Sequence, residues 1–137
     1  MPSSHLLHFY ITVIRPILEY CAPVWQYALM KAQSESLEAV QKRAIYITLN
    51  LTRRMPYSVV LLHLHVNLDS LAARREDLSQ RFFRDIMDPA SCLHSLLPPP
   101  RSTAITSRLR SSQILPKVYT RTRRYSSIIQ YGLNHYQ

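Results

Sequence analysis

Glycine is nearly absent from this sequence. Gly132 is the only one among 137 residues, so residues 1–131 contain none. Phosphate-cradling loops, nucleophile elbows and tight primed hairpins need glycine because they place the backbone at positive φ or directly against a ligand. The sequence therefore excludes P-loop and Rossmann nucleotide sites and offers no glycine-based oxyanion loop.

Cysteine is also scarce. Cys21 and Cys92 lie far apart and form no CxxC pair, which is typical of reduced thiols and not of a disulfide framework. The first five residues lack the positive region of a secretory signal. The apolar stretch 6–29 is interrupted near its middle by charged residues and prolines. We therefore expect an intracellular protein, in the nucleus or cytoplasm, that is not secreted, has no transmembrane segment and has no membrane partner.

Groupings of side chains that carry chemistry are missing as well. Polymerases, nucleases and metal hydrolases need converging carboxylates, but the one adjacent acidic pair, Glu76-Asp77, lies in a predicted helix where neighbours point about 100° apart. His63-x-His65 and Cys92-x-His94 lack the paired spacing of a structural zinc site. We expect no catalytic residue, no metal site and no cofactor.

Apolar residues at helical spacing dominate the first half of the chain. A stripe from Leu6 to Leu18 predicts a helix that begins at an N-cap, Ser4, and is kinked or divided at Pro16, with Ala22-Pro23 ending it. A second helix is predicted from Ser34 to Leu49, and residues 5–50 are interpreted as an αα-hairpin. The predicted inward stripe of the second helix consists of Leu37, Val40, Ala44, Ile47 and Leu51.

A third long helix is predicted from Ser70 to Met87, capped by Asp69 and ended by Asp88-Pro89. Residues 55–68 contain an apolar run that fits either a buried helix or a strand. The predicted inward residues of the third helix are Leu71, Leu78, Phe82 and Ile86, and those largely outward are Arg74, Arg75, Glu76, Asp77, Arg81, Arg84 and Asp85. The predicted class is mainly α: a small helical bundle with a basic, largely irregular C-terminal arm.

Positive charge is concentrated in that arm. Residues 1–100 carry a net charge of +2, whereas residues 101–137 contain seven Lys or Arg and no acid. A Pro98–Pro100 spacer precedes the arm, so we divide the chain into a helical domain, 1–97, and a spacer and arm, 98–137. Such a charge favours a polyanionic partner, RNA or DNA first and an acidic membrane surface or acidic protein second. A solvated tail that only aids solubility is the alternative.

Aromatic residues alternate with the arm's basic residues, so stacking on bases is a second mode of contact. Tyr131 is a further stacking candidate in this region, whereas Trp25 at a helix junction fits core packing better. The predicted nucleic-acid-binding residues are Lys42, Arg43, Arg101, Arg108, Arg110, Lys117, Arg121, Arg123, Arg124, Tyr119 and Tyr125.

Several strings in the chain resemble one family. Phe9-Tyr10, Val13–Tyr20, Ala22–Trp25 and Leu37-Glu38-x-x-Gln41-Lys42-Arg43-Ala44 resemble the region after the palm in reverse transcriptases of non-LTR (LINE-type) retrotransposons. Later strings look like the end of such a polyprotein: Leu71-x-x-Arg74-Arg75, Leu97–Arg101, Arg121-Thr122-x-Arg124-Tyr125 and Tyr131–Leu133. The resemblance covers nearly the whole chain.

The resemblance implies a helical thumb and C-terminal extension that grip RNA or a template–primer duplex. The family's Tyr-x-Asp-Asp polymerase hairpin and its endonuclease domain are absent from this sequence, so the expected function is non-catalytic. An alternative is a helical protein-interaction module, because thumb helices would pack on a palm that this chain lacks. A translated relic of a decayed element, without activity, is the third interpretation.

Overall fold

The computed structural model describes residues 3–50, 56, 69–102, 106–108, 113–122 and 126–136. These residues are mainly helical and include no strand, so the predicted small helical bundle is confirmed. The segment 57–68, for which helix and strand were both open, lies outside the described residues.

The first helical region is divided ahead of Pro16. Helix α1 spans Ser3–Phe9, a π-helical segment spans Tyr10–Ile14, and α2 spans Arg15–Glu19. Proline has no N–H and its ring crowds the preceding turn, so a widened turn before it accommodates the ring. The hydrogen-bonding pattern changes just before Pro16, where the sequence predicted a kink or two short helices, but the backbone stays helical at Ile14 and Arg15. Helix α1 begins at Ser3, so Ser4 lies inside the helix and is not its cap.

The chain then turns and forms a short helix where the sequence predicted an end. Cys21 adopts a left-handed conformation with φ of 51°. Helix α3 follows over Ala22–Trp25, and a 3-10 turn spans Gln26–Ala28. Ala22-Pro23 therefore begins an element and does not end one, because proline fits the first turn of a helix, where its missing N–H is not needed.

Three longer helices complete the described structure. Helix α4 spans Lys31–Thr48, and Gln33 Oε1 accepts a 2.9 Å hydrogen bond from the backbone N–H of its N-cap, Met30. Helix α5 spans Leu71–Met87 and ends where the sequence predicted. A 3-10 turn spans His94–Leu96, and α6 spans Ile128–His135.

The chain forms two compact units. The first comprises Met1–Ala22 and Leu29–Glu76, and the second comprises Pro23–Ala28 and Asp77–Gln137. Each unit is a set of residues that contact one another. The predicted boundary after Leu97 is a different claim, namely that residues 1–97 fold as a domain and the spacer and arm do not. That boundary stays a prediction.

The core of the first unit is small and partly polar. Tyr10, Ile45 and Tyr46 form a buried cluster. Gln41 is fully buried beside it, accepting a 2.7 Å hydrogen bond from the Tyr10 hydroxyl and donating through Nε2 to the backbone oxygen of Asp69 at 3.1 Å. These bonds satisfy an amide that would be costly to bury alone.

Burial along α4 differs from the predicted stripe. Val40 and Ile47 were predicted to face inward, but they are 45% and 64% exposed, whereas Gln41 and Ile45 are fully buried. Periodicity counts only apolar residues, so it does not register that Gln41 faces the core. The true inward face is rotated away from the predicted one.

Helix α5 needs two corrections. Its N-cap is Ser70 and not Asp69, because Ser70 Oγ accepts a 3.1 Å hydrogen bond from the Ala73 N–H. Arg75, predicted to point outward, is 1% exposed and donates to Ser34 Oγ at 2.9 Å. The buried residues of α5 are spaced mostly four apart. Because an arginine and a serine are among them, hydrophobic periodicity does not reveal this face. The buried residues are Leu71, Arg75, Ser79, Phe83 and Ile86.

The core of the second unit draws on the arm. Leu115, Ile128 and Leu133 are buried in one cluster with Phe83 of α5. The sequence predicted an arm with little core of its own, and it missed α6. Outside α6 and one helical turn at Thr106–Arg108, the described arm residues are irregular, as predicted.

We predict that Tyr10→Phe destabilises the first unit by about 1–3 kcal/mol, because it removes the hydroxyl that donates to the buried Gln41. Urea denaturation followed by circular dichroism measures the change. Tyr119→Phe is the matched control, since Tyr119 is 79% exposed, and it is expected to change the unfolding free energy by less than about 0.5 kcal/mol. Equal effects of the two variants would contradict the assigned hydrogen bond.

We predict that Gly132→Ala destabilises the second unit, because a methyl group there would overlap the ring of Phe83. Overpacking costs about 1–3 kcal/mol, and the better helix propensity of alanine offsets at most about 1 kcal/mol of it. Thermal and urea unfolding report the net loss. Repeating the substitution in a Phe83→Ala background is the control, because alanine lacks every ring atom that overlaps the added methyl group, and a loss undiminished there would refute the contact.

Candidate nucleic-acid interface

The arm runs beside α6 in an extended conformation. The Asn134 side-chain N–H donates to the Val118 backbone oxygen at 2.9 Å, and the Thr120 hydroxyl donates to Gln130 Oε1 at 3.1 Å. A step of two residues toward the C-terminus in the arm, from Val118 to Thr120, thus matches a step of four residues toward the N-terminus in α6, from Asn134 to Gln130. Four helical residues rise about 6 Å, and two extended residues span about 6.6 Å. The segment is therefore extended and antiparallel to α6.

Both ends of this pairing are anchored. Ser127 caps α6 by accepting a 3.3 Å hydrogen bond at Oγ from the Gln130 N–H. Leu115 is buried in the core of the second unit, and its neighbour Ile114 accepts a 2.8 Å backbone hydrogen bond from the Arg101 N–H. The arm is thus held in place at these contacts.

The extended segment presents three predicted site residues to solvent. Lys117, Tyr119 and Arg121 are all exposed, and they occupy alternate positions. Successive side chains of an extended chain point to opposite sides. Because Thr120 directs its hydroxyl at α6, Tyr119 before it points away from that helix, and the chain bends at Arg121. We call Lys117, Tyr119 and Arg121 the exposed triplet.

The other predicted cations are placed differently. Arg101 is half-buried and Arg108 is exposed, both in the second unit. Lys42 and Arg43 are exposed on α4 in the first unit, where consecutive side chains diverge by about 100°. Among the predicted site residues that the structure describes, only the exposed triplet therefore forms one local group. Arg110, Arg123, Arg124 and Tyr125 lie outside the described residues.

Tyr131, a stacking candidate from sequence, is already stacked within the protein. Its ring lies 4.1 Å from the ring of Tyr27 on one side and 4.1 Å from that of His135, at interplanar angles of 22° and 11°. The Tyr136 ring meets its edge, and the hydroxyls of Tyr27 and Tyr136 are 2.8 Å apart. Tyr131 is thus a packing residue, and the expectation that it binds a base is wrong in this conformation. Trp25 is half-buried.

Two acids of the first unit, Glu19 and Glu38, are engaged in structural contacts. Glu19 accepts hydrogen bonds from Arg74 Nε and Nη2 at 2.5 and 3.1 Å. Glu38 accepts bonds from the N–H groups of Leu71 and Ala72, both 3.3 Å, at the start of α5. A carboxylate there satisfies otherwise unpaired N–H groups and complements the helix dipole. Sequence periodicity could not reveal a cap supplied from 33 residues away.

Arg75 is the most perturbed titratable group that the structure describes. Burial lowers the pKa of its guanidinium, and the nearby carboxylates of Glu38 and Glu19 raise it in opposition. It stays a cation at neutral pH because arginine titrates far above that range. Its contacts are those of a side chain that joins α4 to the first turns of α5.

Within the described ranges, no group of three or more His, Cys, Asp or Glu side chains is arranged to hold a metal ion. Cys21 and Cys92 are exposed free thiols. Among the helices that the structure describes, none has the length and apolar character needed to cross a membrane.

Comparison with known proteins gives no relative. No protein-family model, no curated protein and no solved structure matches this chain.

Proposed function

We propose that this chain is a non-catalytic nucleic-acid-binding protein related to the thumb and C-terminal extension of non-LTR retrotransposon reverse transcriptases. It binds the phosphate backbone of RNA or DNA through its C-terminal arm. Sequence resemblance supports the origin, and the uncompensated charge of the arm supports the binding.

The single observation that carries this proposal is the excess of positive charge in an arm that contains no acid. Outside the arm, Arg15 and Arg74 pair with Glu19, Lys31 pairs with Glu35, and Arg81 pairs with Asp77. Within the arm, the described cations form no ion pair, and residues 101–137 contain no acid. A local excess of exposed positive charge binds a polyanion by releasing its counterions.

The proposal predicts a salt-dependent affinity set by the arm. Replacing Arg108, Lys117 and Arg121 with alanine should weaken binding to an RNA–DNA duplex and flatten the slope of log K against log salt by about two to three, since each phosphate contact contributes about 0.7–0.9. Fluorescence anisotropy across a salt series measures both quantities.

A matched triple variant controls for total charge. Lys31, Arg81 and Arg84 are exposed cations outside the arm, so their replacement with alanine removes the same charge. We expect this variant to retain nearly the slope of the unmodified protein. Affinity that ignores salt, or equal losses in the two triple variants, would refute binding through the arm.

A second candidate function, protein binding, is favoured by an apolar groove in the first unit. The groove has a volume of about 270 Å³ and lies between α4 and the α1–π-helical region. Phe9, Val40 and Ile47 line it and are 53%, 45% and 64% exposed. Arg43 is the one charged side chain among the described lining residues.

The lining indicates what kind of partner this groove accepts. An apolar groove between helices is the typical receptor for the apolar face of an amphipathic helix. Arg43 forms no ion pair among the described residues, so a carboxylate on that helix would complement it. The second candidate is therefore a protein whose docking helix is apolar and carries an acid.

This candidate predicts that the folded chain binds an uncharged apolar dye such as Nile red. Ile47→Lys should weaken the binding by about fivefold or more, because a charged group replaces apolar contact area. Ile17→Lys is the control, since Ile17 is comparably exposed, at 70%, but does not line the groove. Dye fluorescence titration distinguishes them, and absence of dye binding to the unmodified protein would count against this function.

A further inference from the structure

The exposed triplet combines one uncovered aromatic ring with two cations. Tyr119 is 79% exposed and makes no described contact, unlike Tyr131, whose two faces are covered by Tyr27 and His135. The hydrogen bonds of Val118 and Thr120 to α6 fix the backbone on both sides of Tyr119. The ring is therefore held on an anchored segment and is not covered by the side chains that the structure describes.

Lys117 and Arg121 flank this ring along the chain, each two residues from Tyr119, and the chain bends at Arg121. Both cations carry long, flexible side chains that can reach phosphates on either side of the ring. A cation, an aromatic face and a second cation in a row match the repeating phosphate, base and phosphate of a nucleotide chain.

We infer that the exposed triplet is a binding site for single-stranded nucleic acid. Tyr119 stacks on one unpaired base, and Lys117 and Arg121 contact the phosphates on its two sides. This inference rests on the proposed function and narrows it from nucleic acid in general to unpaired strands.

An unpaired strand fits this site better than a duplex does. In a duplex, neighbouring base pairs cover the faces of each base, so a solvent-exposed tyrosine gains no stacking there without the energy of unstacking. In a single strand the base turns its face to an aromatic ring, a contact that tolerates any base. The cations alone would serve both forms, so the ring is the feature that discriminates.

The test compares a labelled oligouridine with an RNA–DNA duplex of equal length, by fluorescence anisotropy on the full chain. Tyr119→Leu should weaken binding of the single strand by about tenfold, the value of stacking one base, and change duplex binding by less than about twofold. Tyr119→Phe keeps the stacking ring and should bind the single strand as the unmodified protein does. Circular dichroism verifies that each variant is folded.

Tyr20→Leu is the matched control, because Tyr20 is 75% exposed but belongs to the first unit. It should leave both affinities unchanged. A second readout is photocrosslinking to 5-iodouridine in the strand, followed by mass spectrometry, which should place the adduct on Tyr119.

The outcomes separate this inference from the proposed function. If the protein binds both nucleic acids with the expected salt slope but Tyr119→Leu binds the single strand normally, the stacking site is overturned and the proposed function stands. If neither nucleic acid binds at low salt, both are overturned. Adducts at other residues with none at Tyr119 would also overturn the stacking site.

Discussion

The arrangement of the first unit depends on the burial of Gln41. Its amide oxygen accepts a hydrogen bond from the Tyr10 hydroxyl, and its amide nitrogen donates to the Asp69 backbone oxygen. These two bonds fix the rotation of α4 about its own axis. Because Gln41 faces inward, Val40 and Ile47 lie roughly 100–120° around the helix from it and line the exposed groove. The groove is thus a consequence of a polar contact. Lys42 is displaced from Gln41 in the other direction, away from the groove side.

Hydrophobic periodicity was sufficient to predict that the long helices exist, but not which way they face. It predicted α4 within three residues and α5 within one, because length, charge pattern and stop signals are local. The inward faces are set by partners distant in sequence. Ser34 meets Arg75 across 41 residues, and Glu38 meets the start of α5 across 33. A pattern that counts arginine and glutamine as outward misses these contacts.

The arm shows the same limit for the candidate site. Its charge was evident from composition, and the structure shows Arg108, Lys117 and Arg121 exposed. Helix α6 was missed because it is short and its apolar residues pack on Phe83, more than 40 residues away. The sequence also gave no reason to separate Tyr119 from Tyr131, since both lie among basic residues. Only the contacts of Tyr27 and His135 distinguish a packed ring from an exposed one.

Charge is divided by role along this chain. Several carboxylates outside the arm make structural contacts: Glu19 pairs with two arginines, and Glu38 caps α5. The negative charge of these two residues therefore stabilises the fold. The arm contains no acid and packs beside α6, and its described cations form no ion pair. Self-repulsion among those cations opposes the folded arm, and a bound polyanion would relieve it. Any ligand that prefers the folded state stabilises it, so the binding proposed for this arm would stabilise the second unit.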